Sequence, residues 1–409
     1  MLKLILGRAG SGKTSLLLRQ LCEQGTDRPQ VLMVPEQQSH QAERALCRAG
    51  GAGVSLYAEV LSFSRLANRV FQGAGGLGEE ELDGGGRILL MYHAVQSVAS
   101  QLTIYRQPSR RPTFLQSLLA TVDELKSCCV PPEALIRAGE ELGEQEGDKL
   151  RDLGLICGAY DALTAQIAFD PRDRLTRAAD KLKEFPWAAG KDIWLDGFTD
   201  FTPQQREIVR LLLGQAHQVT VVLTCDHLEE TDGGVGIFSP ARRTAAQLLR
   251  LAQTLGISYR IELCSNGGLG KVPALMRLEK CLFAPSLETE NLCHGAVELF
   301  CGAGPRSEVE WAAARVLQLV REEGIRFRDI GVAARNYSTY RNLIESVFPR
   351  YGIPVFSSVM TDILEKPVLA LVTAALDVVA GGYTYEDVFR YLKTGLTDLS
   401  QEEQDLLEN

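Results

Sequence analysis

The residues best equipped for chemistry stand almost at the start of the chain. Gly7 to Thr14 read GRAGSGKT, a glycine-rich loop closed by a lysine and a threonine. In this pattern backbone N–H groups surround phosphate oxygens at the positive end of the following helix. The lysine reaches the β- and γ-phosphates, and the threonine hydroxyl ligates Mg²⁺. Gly7, Arg8, Ala9, Gly10, Ser11, Gly12, Lys13 and Thr14 therefore form a candidate site for ATP and Mg²⁺; the alternative is a structural glycine turn. Such a loop needs a second acid on the metal side, at the end of a neighbouring strand. Asp196, which follows Ile193-Trp194-Leu195, is the candidate, and with Thr14 it makes up the metal set. The alternative is a turn aspartate, since Asp-Gly makes a good turn. Hydrolysis also needs a group to deprotonate the attacking water. The next residue is Gly197, which accepts no proton, so no catalytic residue is assigned. Loss of general-base help costs about 10²–10⁴-fold in rate. These residues predict nucleotide binding without efficient hydrolysis.

Placing such groups together takes an α/β fold. Leu2–Leu6 reads as a buried strand, Ser15–Glu23 as the helix continuing the loop, and Val31–Val34 as a second strand stopped by Pro35. Strand, glycine loop, helix, strand is the signature of a parallel sheet. HQAERALCRA then reads as helix, and AEVLSFSRLANRVF as a strand that turns helical near Ser64. Gly73–Gly86 is glycine-rich and acidic, which predicts a flexible connection. From Arg87 to about Phe185 apolar residues recur at helical spacing, so an all-helical insertion is expected. The sheet resumes with a strand at Asp192–Leu195, a helix from Thr202, the strand HQVTVVLTCD, a helix capped by Ser239 with Pro240 at its first position, and the strand YRIELC. Residues 265–295 read as irregular. A second α/β pattern follows, with strands AVELFCG, IGVAAR and IPVFS between helices, and it ends in two further helices. The expected domains are 1–85 and 191–295 as two parts of one α/β domain, 86–190 as the insertion, and 296–409 as the incomplete start of a second.

Composition narrows the class. The 409 residues contain no apolar run long enough to span a membrane and no signal-peptide pattern, so a cytoplasmic protein is expected. Ten cysteines are scattered without a CxxC pair, which predicts reduced thiols. Net charge is −9, yet residues 1–78 hold nine Lys/Arg against five Asp/Glu. The segment with the phosphate loop is the basic part of an acidic chain, and charge distribution matters more than the sum for nucleic-acid binding.

LGRAGSGKT, VPEQQSHQAERAL, EVLSFSRLANRV, LDGFTDFTPQQ, IGVAARNYSTYRNLIESVFPRYGIPVF and YEDVFRYLKTGL together resemble AddB, one of the two subunits of the bacterial AddAB helicase–nucleases that process double-strand breaks. More distantly the order is similar to UvrD/Rep-type superfamily 1 helicases. The resemblance implies a superfamily 1 helicase-like P-loop NTPase fold: a RecA-like domain 1A in two parts, the helical insertion 1B, and the start of a second RecA-like domain 2A. It also implies a decayed motor. Where active relatives carry DExQD, this chain has Asp196-Gly197-Phe198-Thr199-Asp200, and the next strand ends LTCDHLEE without the sensor glutamine. Arg335 matches the arginine that relatives point at the γ-phosphate; otherwise it is a surface arginine at a strand end.

The same resemblance assigns single-stranded DNA to the loops after the second and third strands. Gln37 and Ser39 are implied to hydrogen-bond bases or phosphates, Phe63 and Phe201 to stack on bases, and Arg65 to contact phosphate or guanine. From composition alone Phe63 is a core residue, Arg65 a solvated helix residue and Gln37 a loop cap. The family implies recognition of the hotspot sequence Chi, homologous recombination, and an AddA-type partner that is the translocating motor. RQPSRRP, Arg106–Pro112, is a basic exposed stretch that reads first as a solvated loop, with contact to duplex phosphate as the alternative. Full-length relatives are longer and end in a nuclease domain with an iron–sulfur cluster; neither is expected in this segment. The rival readings are an active ATP-driven DNA translocase and, more remotely, a P-loop kinase of small molecules.

Overall fold

The computed structural model describes all residues except 26, 107–110, 227, 229–235, 265–271, 283–294, 358–362, 364, 365 and 409, and leaves the side chains of Pro112, Glu144 and Lys280 undescribed. Two compact units divide the chain, Met1–Val297 and Glu298–Asn409. Among the described residues no helix is long and apolar enough to cross a membrane.

The first unit opens with β1 (Leu2–Gly7), α1 (Lys13–Gln24), β2 (Gln30–Met33), α2 (Ser39–Gly50), β3 (Ala58–Leu61) and α3 (Phe63–Ala74). Next come α4 (Gly84–Val98), α5 (Pro112–Ser127), α6 (Pro132–Glu141), α7 (Glu144–Ile167) and α8 (Arg174–Glu184). The sheet returns with β4 (Asp192–Leu195), α9 (Pro203–Gln215), β5 (Gln218–Thr224), α10 (Ser239–Thr254) and β6 (Tyr259–Leu263), followed by α11 (Pro273–Cys281). The six strands form one parallel sheet in the order β3-β2-β4-β5-β1-β6. Since all strands run the same way, the residues following β1 to β5 emerge at one edge, where ligands of open α/β sheets bind.

Strand β1 shows why the sequence folds so. It is buried along its whole length, as expected of a strand covered on both faces. Side chains alternate across the sheet: Leu2, Leu4 and Leu6 join one core with Val219, Val221 and Leu223 of β5. Ile5 joins the other with Leu17 and Leu21 of α1 and Trp194 of β4. Each such leucine contributes about 1.5–3 kcal/mol on burial. Thr202 caps α9 through a reciprocal pair with Gln205, as its position before Pro203 suggests. Ser239, expected as the cap of α10, is instead its first residue, and Phe238 holds the cap position.

Helices α4 to α7 surround a separate core built on Leu90, Met91, Leu118, Ile156 and Tyr160. A buried charge network ties it together. Asp170 is fully buried, accepts from the Tyr160 hydroxyl at 3.0 Å, and pairs with Lys126 at 3.3 Å and Arg87 at 3.2 Å. Burial alone would raise the Asp170 carboxyl; the Arg172 N–H, Lys126 and Arg87 outweigh it and hold it below its ordinary value. Two sequence expectations change here. The Gly73–Gly86 connection stops short, because Gly84–Gly86 form the first turn of α4, with the Asp83 carboxylate accepting from Gly86 N–H at 2.6 Å. And α8, expected within the insertion, packs on the sheet layer: Ala179 and Leu182 belong to the β1 core.

The second unit contains α12 (Pro305–Glu322), α13 (Tyr337–Arg350), α14 (Pro367–Ala380), α15 (Tyr385–Leu392) and α16 (Gln401–Glu408). Val309, Ala313 and Val316 of α12 pack against Ile344, Val347 and Phe348 of α13. The expected strands AVELFCG, IGVAAR and IPVFS do not form among the described residues. A strand exists through its ladder partners, and these segments exchange no ladder bonds; Leu299 is 99% and Phe356 92% exposed.

Candidate phosphate-binding site and adjoining loops

The glycine loop leaves the buried end of β1 and enters α1. Gly10 and Gly12 have φ of 74° and 83°, a region that side chains with a Cβ adopt only under strain. A Cβ on Gly7 would lie 2.4 Å from Ser11 Oγ and 2.9 Å from the Cys264 carbonyl, so the turn also depends on close approach. Lys13 is buried and donates to the Arg8 carbonyl at 2.7 Å, which folds its ammonium back over the loop. Ser11 Oγ is buried with no hydrogen-bond partner. Arg8 is drawn outward, donating to Glu279 at 3.3 Å and lying over the Phe238 ring. The loop thus offers a lysine, a buried hydroxyl without a hydrogen-bond partner and a helix N-terminus, the donor chemistry that suits an anion.

The metal-side pair comes together across the sheet. Thr14 Oγ1 donates to Asp196 Oδ2 at 2.9 Å, although the two are far apart in sequence. Asp196 Oδ1 accepts from Gly197 N–H at 2.9 Å. Burial pushes the Asp196 carboxyl above its ordinary value, opposed by the Thr14 and Gly197 hydrogen bonds and by the Lys13 charge. These groups line a cavity of about 310 Å³ with Ala9, Gly10, Gln38, Phe198 and Thr199. Beyond β5, Asp226 is held by both carboxylate oxygens to Arg242 at 2.8 Å. Residues 227, 229 and 230 of the segment LTCDHLEE lie outside the described residues, as do 107–110 of the basic RQPSRRP stretch and most of 265–295.

At Gly197 the backbone has φ of 81°, and an added Cβ would sit 2.4 Å from Gln38 Oε1 and 3.2 Å from Pro35 Cδ. A glutamate here would meet both that crowding and left-handed backbone strain of about 1–3 kcal/mol. The sequence alone does not single out Gln38, although it does mark the neighbours Gln37 and Ser39; nothing in local spacing signals a contact between residues 38 and 197.

The loops assigned to DNA emerge at the same sheet edge. Gln37 is exposed after β2, whereas Ser39 is buried with its hydroxyl lacking a partner. Arg65 is exposed on α3 and pairs with Glu43 at 2.9 Å. Ser62 Oγ caps α3 by accepting from Arg65 N–H. The stacking expectation for the two phenylalanines needs correction. Phe63 is 5% and Phe201 6% exposed. They meet edge-on at 6.2 Å, and each packs on Phe198, at 5.5 and 5.2 Å. A ring enclosed by two others presents no face to a base; these rings carry core packing of about 0.5–1.5 kcal/mol per pair beyond burial. Asn68 accepts from Arg174 and so is turned toward α8.

Residues 4–279 match the family described as "ADDB, N-terminal". The chain belongs to the AddB family. Whole-chain comparison agrees. Proteins named as the B subunit of an ATP-dependent helicase/deoxyribonuclease are 35% identical in Thermoanaerobacter sp., 36% in Acetivibrio thermocellus and 35% in Pelotomaculum thermopropionicum, in each case over 100% of this chain and 36% of the relative. The chain spans about a third of the length of those curated relatives. In this AddB-family chain the remaining assigned residue, Arg335, lies in the second unit. It is exposed and lines a cavity of about 450 Å³ with Asn336 and Tyr340.

Proposed function

We propose that this chain is the helicase-like portion of an AddB-type protein, a nucleotide-holding, single-strand-binding module and not a motor. The single observation that carries the reading is the Thr14–Asp196 pair at 2.9 Å beside Gly197. The metal side of a P-loop site is assembled, while the adjoining position bears no base. The donor set fits Mg–ATP: two positive-φ glycines, the buried Ser11 hydroxyl, Lys13 and the Thr14–Asp196 pair. Bound there, the nucleotide would supply charge and a metal link between loop and sheet; Gly7–Thr14 would hold its phosphates, and Thr14 and Asp196 its Mg²⁺. The parallel sheet with the loop after β1 supports a superfamily 1, RecA-like arrangement for the first unit, with α4–α7 as insertion 1B; the reading of residues 296–409 as the start of 2A rests on the family resemblance and not on strands.

Family membership supports the wider reading: an AddA-type partner, DNA as substrate, Chi recognition on a single strand, and double-strand break repair in the cytoplasm. Gln37 and Arg65 are the polar groups through which the strand would be held, and Phe63 and Phe201 brace their loops from beneath. Fluorescent-nucleotide titration in Mg²⁺ and anisotropy with a labelled single strand test this directly. Micromolar or tighter binding of both is expected. No nucleotide binding would overturn it, and nucleotide binding without binding to any oligonucleotide would revive a small-molecule kinase.

A further inference from the structure

Gln38 enters the phosphate cavity from the loop that carries two DNA candidates. It ends the 3₁₀ turn Glu36–Gln38, and Ser39 opens α2 directly after it. Its side-chain oxygen fills the space into which a residue at 197 would extend, 2.4 Å from the position of that Cβ. It shares the cavity with Lys13, Thr14 and Asp196. In a P-loop site the lysine and the metal ligands address the β- and γ-phosphates, so a terminal phosphate bound here would share its cavity with Gln38. A neutral amide can donate to a phosphate oxygen but takes no proton. Its own backbone is one turn with Gln37, which is exposed, and Ser39, whose buried hydroxyl has no partner.

We propose that Gln38 is the nucleotide-state contact of this chain: its amide hydrogen-bonds the γ-phosphate and so fixes the 36–39 turn, coupling nucleotide occupancy to single-strand binding. The inference rests on the reading that the cavity holds a nucleotide and the loop meets DNA. Gln38 is a positioning residue. It changes which DNA affinity accompanies ATP and which accompanies ADP.

The test uses the chain with Mg–AMPPNP, Mg–ADP and a labelled mixed-sequence single strand of about 20 nucleotides. Single-strand affinity is expected to differ between the two nucleotides by about fivefold or more, the low end of ordinary coupling between sites. Gln38→Ala should abolish that difference. Gln38→Glu keeps the side-chain volume but sets a carboxylate against the terminal phosphate. It should weaken AMPPNP relative to ADP by about tenfold, from like-charge repulsion in a partly closed site. An unchanged AMPPNP-to-ADP ratio in Gln38→Glu would show that the residue does not face the terminal phosphate. So would a full nucleotide dependence of DNA binding in Gln38→Ala, and a parent chain indifferent to nucleotide would overturn the coupling. If the parent binds neither nucleotide nor DNA, the proposed function fails and takes this inference with it. If it binds both and the variants behave as the parent, the inference alone fails.

Discussion

Two regions at the same sheet edge treat their functional-looking residues in opposite ways. Around Lys13, Thr14 and Asp196 the polar groups line a cavity, and Ser11 keeps a hydroxyl without a partner. Around Phe63 and Phe201 the rings are buried against each other and against Phe198, which also borders the cavity. The first region leaves polar groups facing a cavity. The second is built to hold two loops still. Residue type and burial do not separate these roles, since Lys13 and Phe63 are both buried; what each side chain packs against does.

Breaking that contrast should have its largest effect in the aromatic cluster. Phe63→Ala is expected to cost about 3–5 kcal/mol of stability, as for other large-to-small changes of buried aromatics. Urea unfolding reads it, and a loss of single-strand affinity with stability unchanged would instead restore Phe63 as a stacking residue. Lys13→Ala should do the converse: about 100-fold weaker nucleotide binding, from the loss of charge-assisted bonds worth about 1.5–3 kcal/mol, with a change in unfolding midpoint small beside that of Phe63→Ala. The smallest effect belongs to Arg65, which is exposed and already paired with Glu43. Arg65→Ala should weaken single-strand binding severalfold and lower the salt dependence by about one ion. An unchanged salt slope would remove Arg65 from the interface.

Much of the first unit is legible in the sequence because its signals are local. The glycine loop, the buried run Leu2–Leu6 and the cap Thr202 each declare themselves within a few residues. Asp196 is legible through the chemistry it must share with Thr14. Gln38 is not, since its contact with Gly197 joins residues that no periodicity connects. Phe63 and Phe201 are identifiable as aromatics, but their burial depends on Phe198 and on the return of the chain after the insertion. The three glycines at 84–86 read as linker by composition, yet Asp83 starts a helix over them. In the second unit apolar segments suggest strands, and strands need partners that spacing cannot supply.

The central claim is that the cavity holds a nucleotide and turns it over poorly. Steady-state ATP hydrolysis, measured with and without single-stranded DNA at saturating nucleotide, tests it most directly. Turnover at least about 10²-fold below an enzyme with a general base in place is expected, with little stimulation by DNA. DNA-stimulated turnover of several per second, abolished by Lys13→Ala, would contradict it and make this chain a working translocase.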